Sequence, residues 1–143
     1  MFSNSAKYAM KAVLYLALHS DESKRIAVKN MSVNINVPKA YLSKILQALS
    51  RHDLVSSSKG PHGGFYLSEG NRREPIGKIV NIIDGKKRLE TCLLSLEDCN
   101  AETPCPLHGL FVPARTKLIK SLEHKTIEDL SKDLKNKKAF LPL

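Results

Sequence analysis

Behind Pro38, Leu42, Ile45, Leu46 and Leu49 fall at i, i+3, i+4 and i+7, which sets one apolar stripe along a helix running to about His52. Pro38 suits the first turn of that helix, where its missing N–H costs nothing. The opposite face carries Lys39, Ala40, Ser43, Lys44, Gln47 and Ser50, with no large apolar group. Leu54-Val55-Ser56-Ser57-Ser58 then reads as a strand and Gly64-Phe65-Tyr66-Leu67 as its antiparallel partner. Between them Lys59-Gly60-Pro61-His62-Gly63 is a hairpin tip dense in glycine and proline.

The flanking chain supplies the frame. Residues 5–19 form a helix that is apolar almost all round (Tyr8, Ala9, Met10, Ala12, Val13, Leu14, Leu16, Ala17), as a buried helix is. After a polar loop at 21–25, a short helix turns Val28, Met31 and Ile35 inward and breaks at Asn36-Val37-Pro38. Residues 75–84 form an amphipathic helix with Ile76, Ile79, Val80 and Ile83 as its stripe and Gly85 as its stop. Residues 86–106, with Pro104 and Pro106, have no clean period and read as a loop. The longest later helix runs from Leu107 to about His124, with Leu107, Leu110, Phe111, Ala114, Leu118 and Leu122 as its stripe and Ile119 beside it. Pro113 falls within it and is expected to kink it or delay its start. Thr126 caps a last short helix holding Ile127, Leu130 and Leu134, and the tail from Lys135 is expected to fray.

Helix, short helix, tight turn, helix and two-stranded hairpin follow the order of a winged helix-turn-helix, so the expected fold is mostly α with a small β-hairpin wing and a long C-terminal helix. A B-DNA major groove admits one helix whose exposed face carries hydrogen-bonding side chains, and the 38–52 helix has such a face. A hairpin beside it can lay a basic tip on the phosphate backbone or into the minor groove, and Lys59 and His62 sit at that tip. Charge agrees. The net charge is +9, and all of it lies early: residues 1–88 carry 15 Lys and Arg against 6 Asp and Glu, whereas residues 89–143 carry 8 of each. A basic surplus confined to one region is the footprint of a polyanion partner; a solvated, solubilising face is the bland alternative.

The 143 residues allow one domain, or one small domain with an appended helix. No apolar run approaches the length a membrane span needs, and the N-terminus has no basic stretch followed by an apolar one, so a cytoplasmic protein is expected. The three cysteines are Cys92, Cys99 and Cys105, spaced C-x6-C-x5-C, with His108 three residues on. An odd, clustered set without a secretory signal argues against a disulfide framework and for a metal or redox site. Thiolates hold zinc or iron–sulfur clusters, but the paired CxxC of a zinc knuckle is absent. Three free thiols sensing oxidants directly, or thiols without a role, remain alternatives. Glu90, Glu97, Asp98 and Glu102 oppose an anionic cluster unless they face solvent.

The segments Lys7-Tyr8-Ala9, Val37-Pro38-Lys39-Ala40-Tyr41-Leu42, Gly60-Pro61-His62-Gly63-Gly64-Phe65, Ile83-Asp84-Gly85 and Cys105-Pro106-Leu107-His108 carry a resemblance over nearly the full chain. The chain resembles the Rrf-two family of bacterial winged-helix regulators, which includes the iron–sulfur cluster regulator and the nitric-oxide-sensing repressor. The resemblance implies a homodimer, with the helix from Leu107 crossing its twofold mate. It implies a major-groove helix beginning at Pro38, with Lys39, Ala40, Tyr41, Ser43, Lys44 and Gln47 as DNA-binding residues, and a minor-groove wing of Lys59, Gly60, Pro61, His62 and Gly63. Cys92, Cys99 and Cys105 match the family's cluster-binding cysteines, and His108 matches the fourth ligand of the [2Fe–2S] regulator. The nitric-oxide sensor instead takes a carboxylate from its first helix. Here Lys7 or a neighbour occupies that place and no acid precedes Leu18, which favours His108. Members with dual operator specificity carry glutamate where this chain has Ser43, so their preference does not transfer.

The expected organisation is therefore a DNA-binding domain at 1–85, a cysteine loop at 86–106 that would hold the cluster, and a dimerisation helix with the C-terminal helix at 107–143. The expected function is a dimeric DNA-binding transcription regulator, a repressor, bound to a double-stranded operator and modulated by an iron–sulfur cluster or by redox state. The alternative is a cluster-free winged-helix regulator that senses through thiols, a small molecule or a partner protein. A thiol- or metal-dependent enzyme is disfavoured, because the chain has no nucleophile–base pattern and no HExxH or CxxC motif.

Overall fold

The structure, a computed structural model, describes residues 2–141. Helix α1 (Asn4–His19) opens on Ser3, whose side chain accepts from the Ala6 N–H. Its small residues Ala6, Ala9, Ala12 and Ala17, with Val13 and Leu16, are fully buried, so neighbouring elements approach it closely. Helix α2 (Val28–Ile35) buries Met31 and Ile35 and stops at Asn36, which adopts a left-handed φ of 52°. The turn is closed twice, by the Val37 N–H to the Ser32 carbonyl and by the Ser32 hydroxyl to the Val37 carbonyl. Helix α3 (Lys39–Arg51) follows. Pro38 stands just ahead of it, at the capping position, one residue earlier than the spacing predicts. Leu42, Ile45, Leu46 and Leu49 are all buried, as their period demands.

The wing is a two-stranded antiparallel sheet, β1 (Ser56–Ser58) and β2 (Gly64–Tyr66), with Ser57 opposite Phe65. Leu54 and Val55 precede β1 as core residues. A rung that local pattern does not predict joins the sheet: Ile26 and Phe65 exchange both backbone hydrogen bonds at 2.9 Å. Gly64 makes that approach possible, because a Cβ there would lie 2.5 Å from the Ile26 carbonyl oxygen. A one-turn helix, α4 (Glu69–Arg72), is a further element that the periodicity does not predict; Ser68 and Asn71 cap it reciprocally.

Helix α5 (Gly77–Asp84) buries Ile79 and Val80, with Ile76 just ahead of it, and ends at Gly85 with φ 82°. Ile83 is half-buried. A 3-10 turn at Lys86–Leu89 follows, buries Leu89 and shortens the expected loop. Helix α6 (His108–His124) starts on schedule, the Phe111 N–H bonding the Leu107 carbonyl, so Pro113 does not delay it. Helix α7 (Ile127–Lys135) is capped by Thr126 with Asp129. It returns to the first helix: Ile127 is fully buried in the core cluster with α1 and α3 residues. The carbonyl end of α1 is held by Arg72, which donates to Ala17 O at 2.9 Å and Ser20 O at 2.7 Å and pairs with Glu128 on α7 at 3.4 Å. Helix α6 is the exception to this burial. None of its residues is buried, and Leu110, part of its apolar stripe, is 77% exposed.

Candidate nucleic-acid interface and thiol site

Burying Leu42, Ile45, Leu46 and Leu49 turns the other side of α3 outward. Lys39, Ala40, Tyr41, Lys44 and Gln47 are exposed, and Ser43 is half-buried. The Ser43 hydroxyl donates back to the Lys39 carbonyl at 2.9 Å, which uses its proton and leaves its lone pairs outward. Tyr41 is anchored: its hydroxyl is hydrogen-bonded to Ser5 and its ring meets Tyr8 edge-on at 5.8 Å, which ties the start of α3 to the start of α1. Ser50 continues the face and lies 3.4 Å from the Ser57 hydroxyl of the wing. Helix and wing thus present one strip of hydrogen-bonding groups.

At the wing tip Lys59, Gly60, Pro61 and His62 are exposed and Gly63 is half-buried. The turn is tight: the Gly63 N–H bonds the Gly60 carbonyl at 2.9 Å. Two basic groups outside the predicted motif border the region. Arg25 lies over the Tyr66 ring at 5.5 Å, on the sheet itself, and Arg51 ends α3 in solvent. Arg25 reaches the sheet through its neighbour Ile26, whose rung to Phe65 is invisible in local pattern.

The second cluster lies where the cysteine loop meets the start of α6. The Sγ atoms of Cys92, Cys99 and Cys105 all lie within 4.8 Å of one another. Cys92 and Cys105 are 3.7 Å apart, and Cys99 Sγ is 3.3 Å from His108 Nδ1. All three thiols are free and half-buried. Folding therefore brings the four predicted ligands together, though His108 meets Cys99 rather than the sequence-adjacent Cys105. Backbone hydrogen bonds from Leu96 and Leu94, with side-chain hydrogen bonds from Cys99 and Cys105, draw the Cys92 thiol down to about 7 against the opposing effect of burial. At Cys99 the Cys105 backbone favours the thiolate, but burial and the other two sulfurs prevail and push that thiol up. Glu90, Glu97, Asp98 and Glu102 are all exposed, so their charges are screened by solvent. The donor set fits a thiophilic metal or cluster. A tetrahedral centre with metal–sulfur bonds of about 2.3 Å spaces two thiolates about 3.8 Å apart, close to the Cys92–Cys105 separation of 3.7 Å.

One residue beside the thiols had no motif to flag it. Arg115 of α6 donates to the Glu90 carbonyl at 2.7 Å and lies 3.4 Å from the Thr91 carbonyl, next to Cys92.

Against known proteins, the Rrf2 family model, described as iron-dependent transcriptional regulator, matches residues 2–133. The chain belongs to the Rrf2 family. It is a DNA-binding transcription regulator of that family, with a winged-helix fold. A protein of Aquifex aeolicus (strain VF5), named as an HTH-type transcriptional regulator, is 30% identical over 132 residues, covering 91% of this chain and 90% of that one. The HTH-type transcriptional regulator IscR of Pectobacterium atrosepticum is 25% identical over 128 residues, covering 90% of this chain and 77% of that one. Among solved structures, CymR, the global cysteine regulator of B. subtilis, superposes with TM-score 0.74 at 22% identity over 92% of this chain and 96% of that one. IscR of T. potens superposes with TM-score 0.72 at 20% identity over 99% and 93%. The last two share the fold with this Rrf2 chain. No helix among the described residues is long and apolar enough to cross a membrane.

Proposed function

We propose that this Rrf2 chain is a cytoplasmic homodimeric repressor whose operator affinity is set by an iron–sulfur cluster on the cysteine loop. The observation that carries the reading is the convergence of three thiols and one imidazole from positions spread over residues 92–108. The ligands fall into two close pairs, Cys92 with Cys105 and Cys99 with His108. Each pair would hold one iron of a [2Fe–2S] cluster, with His108 as the fourth ligand. A bound cluster would supply one-electron redox chemistry and sensitivity to oxidants.

The residues of the chain would do the rest. Helix α3 would enter the major groove, with Lys39, Ala40, Tyr41, Ser43, Lys44 and Gln47 on its outer side, and Lys59, Gly60, Pro61, His62 and Gly63 would follow the minor groove. The exposed stripe of α6 around Leu110 supports a second copy of the chain as its cover, since a 17-residue helix with no buried residue gains little from its own fold. The experiment is anaerobic reconstitution of the apoprotein with iron and sulfide. A visible-region chromophore is expected in the wild type and lost in Cys92→Ala, Cys99→Ala and Cys105→Ala. Its absence from the wild type would sink the cluster reading. The 3.7 Å between Cys92 and Cys105 favours a second reading, in which these thiols form a regulatory disulfide on oxidation. Peptide mapping of oxidised, metal-free protein would then recover a Cys92–Cys105 cross-link, and operator binding would differ between oxidised and reduced samples.

A further inference from the structure

We propose that Arg115 is the positioning residue of the thiol site, fastening the Cys92 end of the loop to α6 and supplying the positive charge that offsets a bound cluster; the second half rests on the cluster reading above. Three observations converge. The guanidinium donates to the Glu90 carbonyl at 2.7 Å and reaches the Thr91 carbonyl at 3.4 Å, so it grips the two residues that lead into Cys92. It also lines the small cavity walled by Cys92, Cys99, Cys105 and His108. Its plane lies over Phe111, one turn earlier on α6, at 5.8 Å, which limits its rotamers.

Charge makes the placement pointed. Between residues 89 and 116 Arg115 is the sole Lys or Arg, against Glu90, Glu97, Asp98 and Glu102. The ion pairs of the described residues lie elsewhere, and none uses Arg115. Its cation is therefore not neutralised by a carboxylate, and its hydrogen bonds go to neutral carbonyls. A two-iron cluster held by three thiolates is anionic and gains one further negative charge on reduction. A fixed cation beside it favours the reduced state, and a fixed loop geometry favours the ligated state.

The test uses the full chain in four forms: wild type, Arg115→Lys, Arg115→Gln and Arg115→Ala. The first arm titrates cobalt(II) into reduced apoprotein and follows the thiolate–cobalt absorption, which needs no cluster. Arg115→Ala is expected to bind cobalt at least tenfold more weakly, the usual penalty for losing an outer-sphere partner. Affinity equal to wild type overturns the positioning role. The second arm reconstitutes the cluster anaerobically and measures the midpoint potential by mediated titration. Arg115→Gln, which keeps an N–H donor but no charge, should lower the ratio of reduced to oxidised cluster at fixed potential about tenfold, equivalent to 59 mV for one electron. Arg115→Lys should stay within about twofold of wild type. Equal potentials in wild type and Arg115→Gln, or equal shifts in the Gln and Lys variants, overturn the charge role. If wild type builds no chromophore, the cluster reading and the charge role fall together, and the cobalt arm decides the positioning role by itself. Thermal unfolding of each apoprotein separates these effects from loss of fold, which the Lys and Gln variants are chosen to avoid.

Discussion

Replacing Gly63 with alanine separates the shape of the wing tip from its charge. The new Cβ would lie 2.3 Å from the Ser58 carbonyl oxygen, 2.8 Å from the Lys59 carbonyl carbon and 2.9 Å from the Gly60 oxygen. All three are backbone atoms of the turn itself, so no side-chain rotation relieves the overlap. The turn has to open, and the bond from the Gly63 N–H to the Gly60 carbonyl breaks. That bond is worth about 1 kcal/mol net, and forcing the backbone otherwise would cost about 1–3 kcal/mol. Because Lys59, Gly60, Pro61 and His62 are already in solvent, the tip can relax outward, and the global stability loss should stay near about 1 kcal/mol. On the proposed reading DNA binding has no such escape, since it would need Lys59 and His62 in one place. Affinity should fall at least tenfold, about 1.4 kcal/mol, with a salt slope shallower by about 0.9 for each phosphate that the displaced tip no longer neutralises. The assay is fluorescence anisotropy on a duplex enriched by the wild type from a random pool, at several salt concentrations, beside urea unfolding. Wild-type affinity in a variant that shows the predicted stability loss would refute the wing's role in binding.

Three other outcomes follow from the same geometry. Arg72→Ala strips the carbonyl end of α1 of its donors to Ala17 and Ser20 and leaves Glu128 without its partner; two charged hydrogen bonds of about 1.5–3 kcal/mol each predict a loss of about 3–6 kcal/mol in urea unfolding, and less than about 1 kcal/mol would contradict it. Lys59→Ala should weaken binding to all duplexes alike, whereas Ser43→Ala should change the enriched sequence; identical effects of both on a panel of duplexes would contradict these roles. Thr126 hydrogen bonds hold the Asp129 carboxyl below its ordinary 3.8. With the folded value depressed, this stabilisation is complete above the ordinary value and lost as pH falls through the folded one. Asp129→Asn should therefore flatten the acid limb of stability below about pH 4, as read by urea unfolding across pH.

What the sequence disclosed was what local chemistry dictates. The α3 stripe, the Pro38 boundary and the glycine-rich turn depend on residues within a few positions of one another; the stripe and the turn appear where their spacing puts them, and Pro38 lies one residue from its expected place. The rung between Ile26 and Phe65 depends on two residues 39 positions apart, and one bridging pair leaves no alternating run to read. Helix α4 hid for another reason: its capping partner Asn71 replaces the glutamate or glutamine of the usual box. At the thiol site the spacing singled out the candidate ligands but not which of them lie side by side. His108 follows Cys105 by three residues, yet its ring turns to Cys99 because the loop folds back across the start of α6. Arg115 is silent in the sequence because it acts on backbone carbonyls, and any residue type can offer those.

The two sites share one scaffold, through which the proposed control of one by the other would have to run. Helix α5 packs against α1, α3 and α6 and runs directly into the 3-10 turn that leads to Cys92. Its first residue, Gly77, comes so close to α6 that a Cβ would lie 3.1 Å from the Leu122 carbonyl oxygen, and its last, Asp84, accepts from the Ser3 N–H at 3.0 Å at the start of α1. Two residues on from Ser3, Ser5 is hydrogen-bonded to the Tyr41 hydroxyl of α3. A change in how the cysteine loop sits on α6 therefore has a continuous path of packed and hydrogen-bonded groups to the outward face of α3, while the wing tip, held only by its own turn and the sheet beneath it, lies off that path.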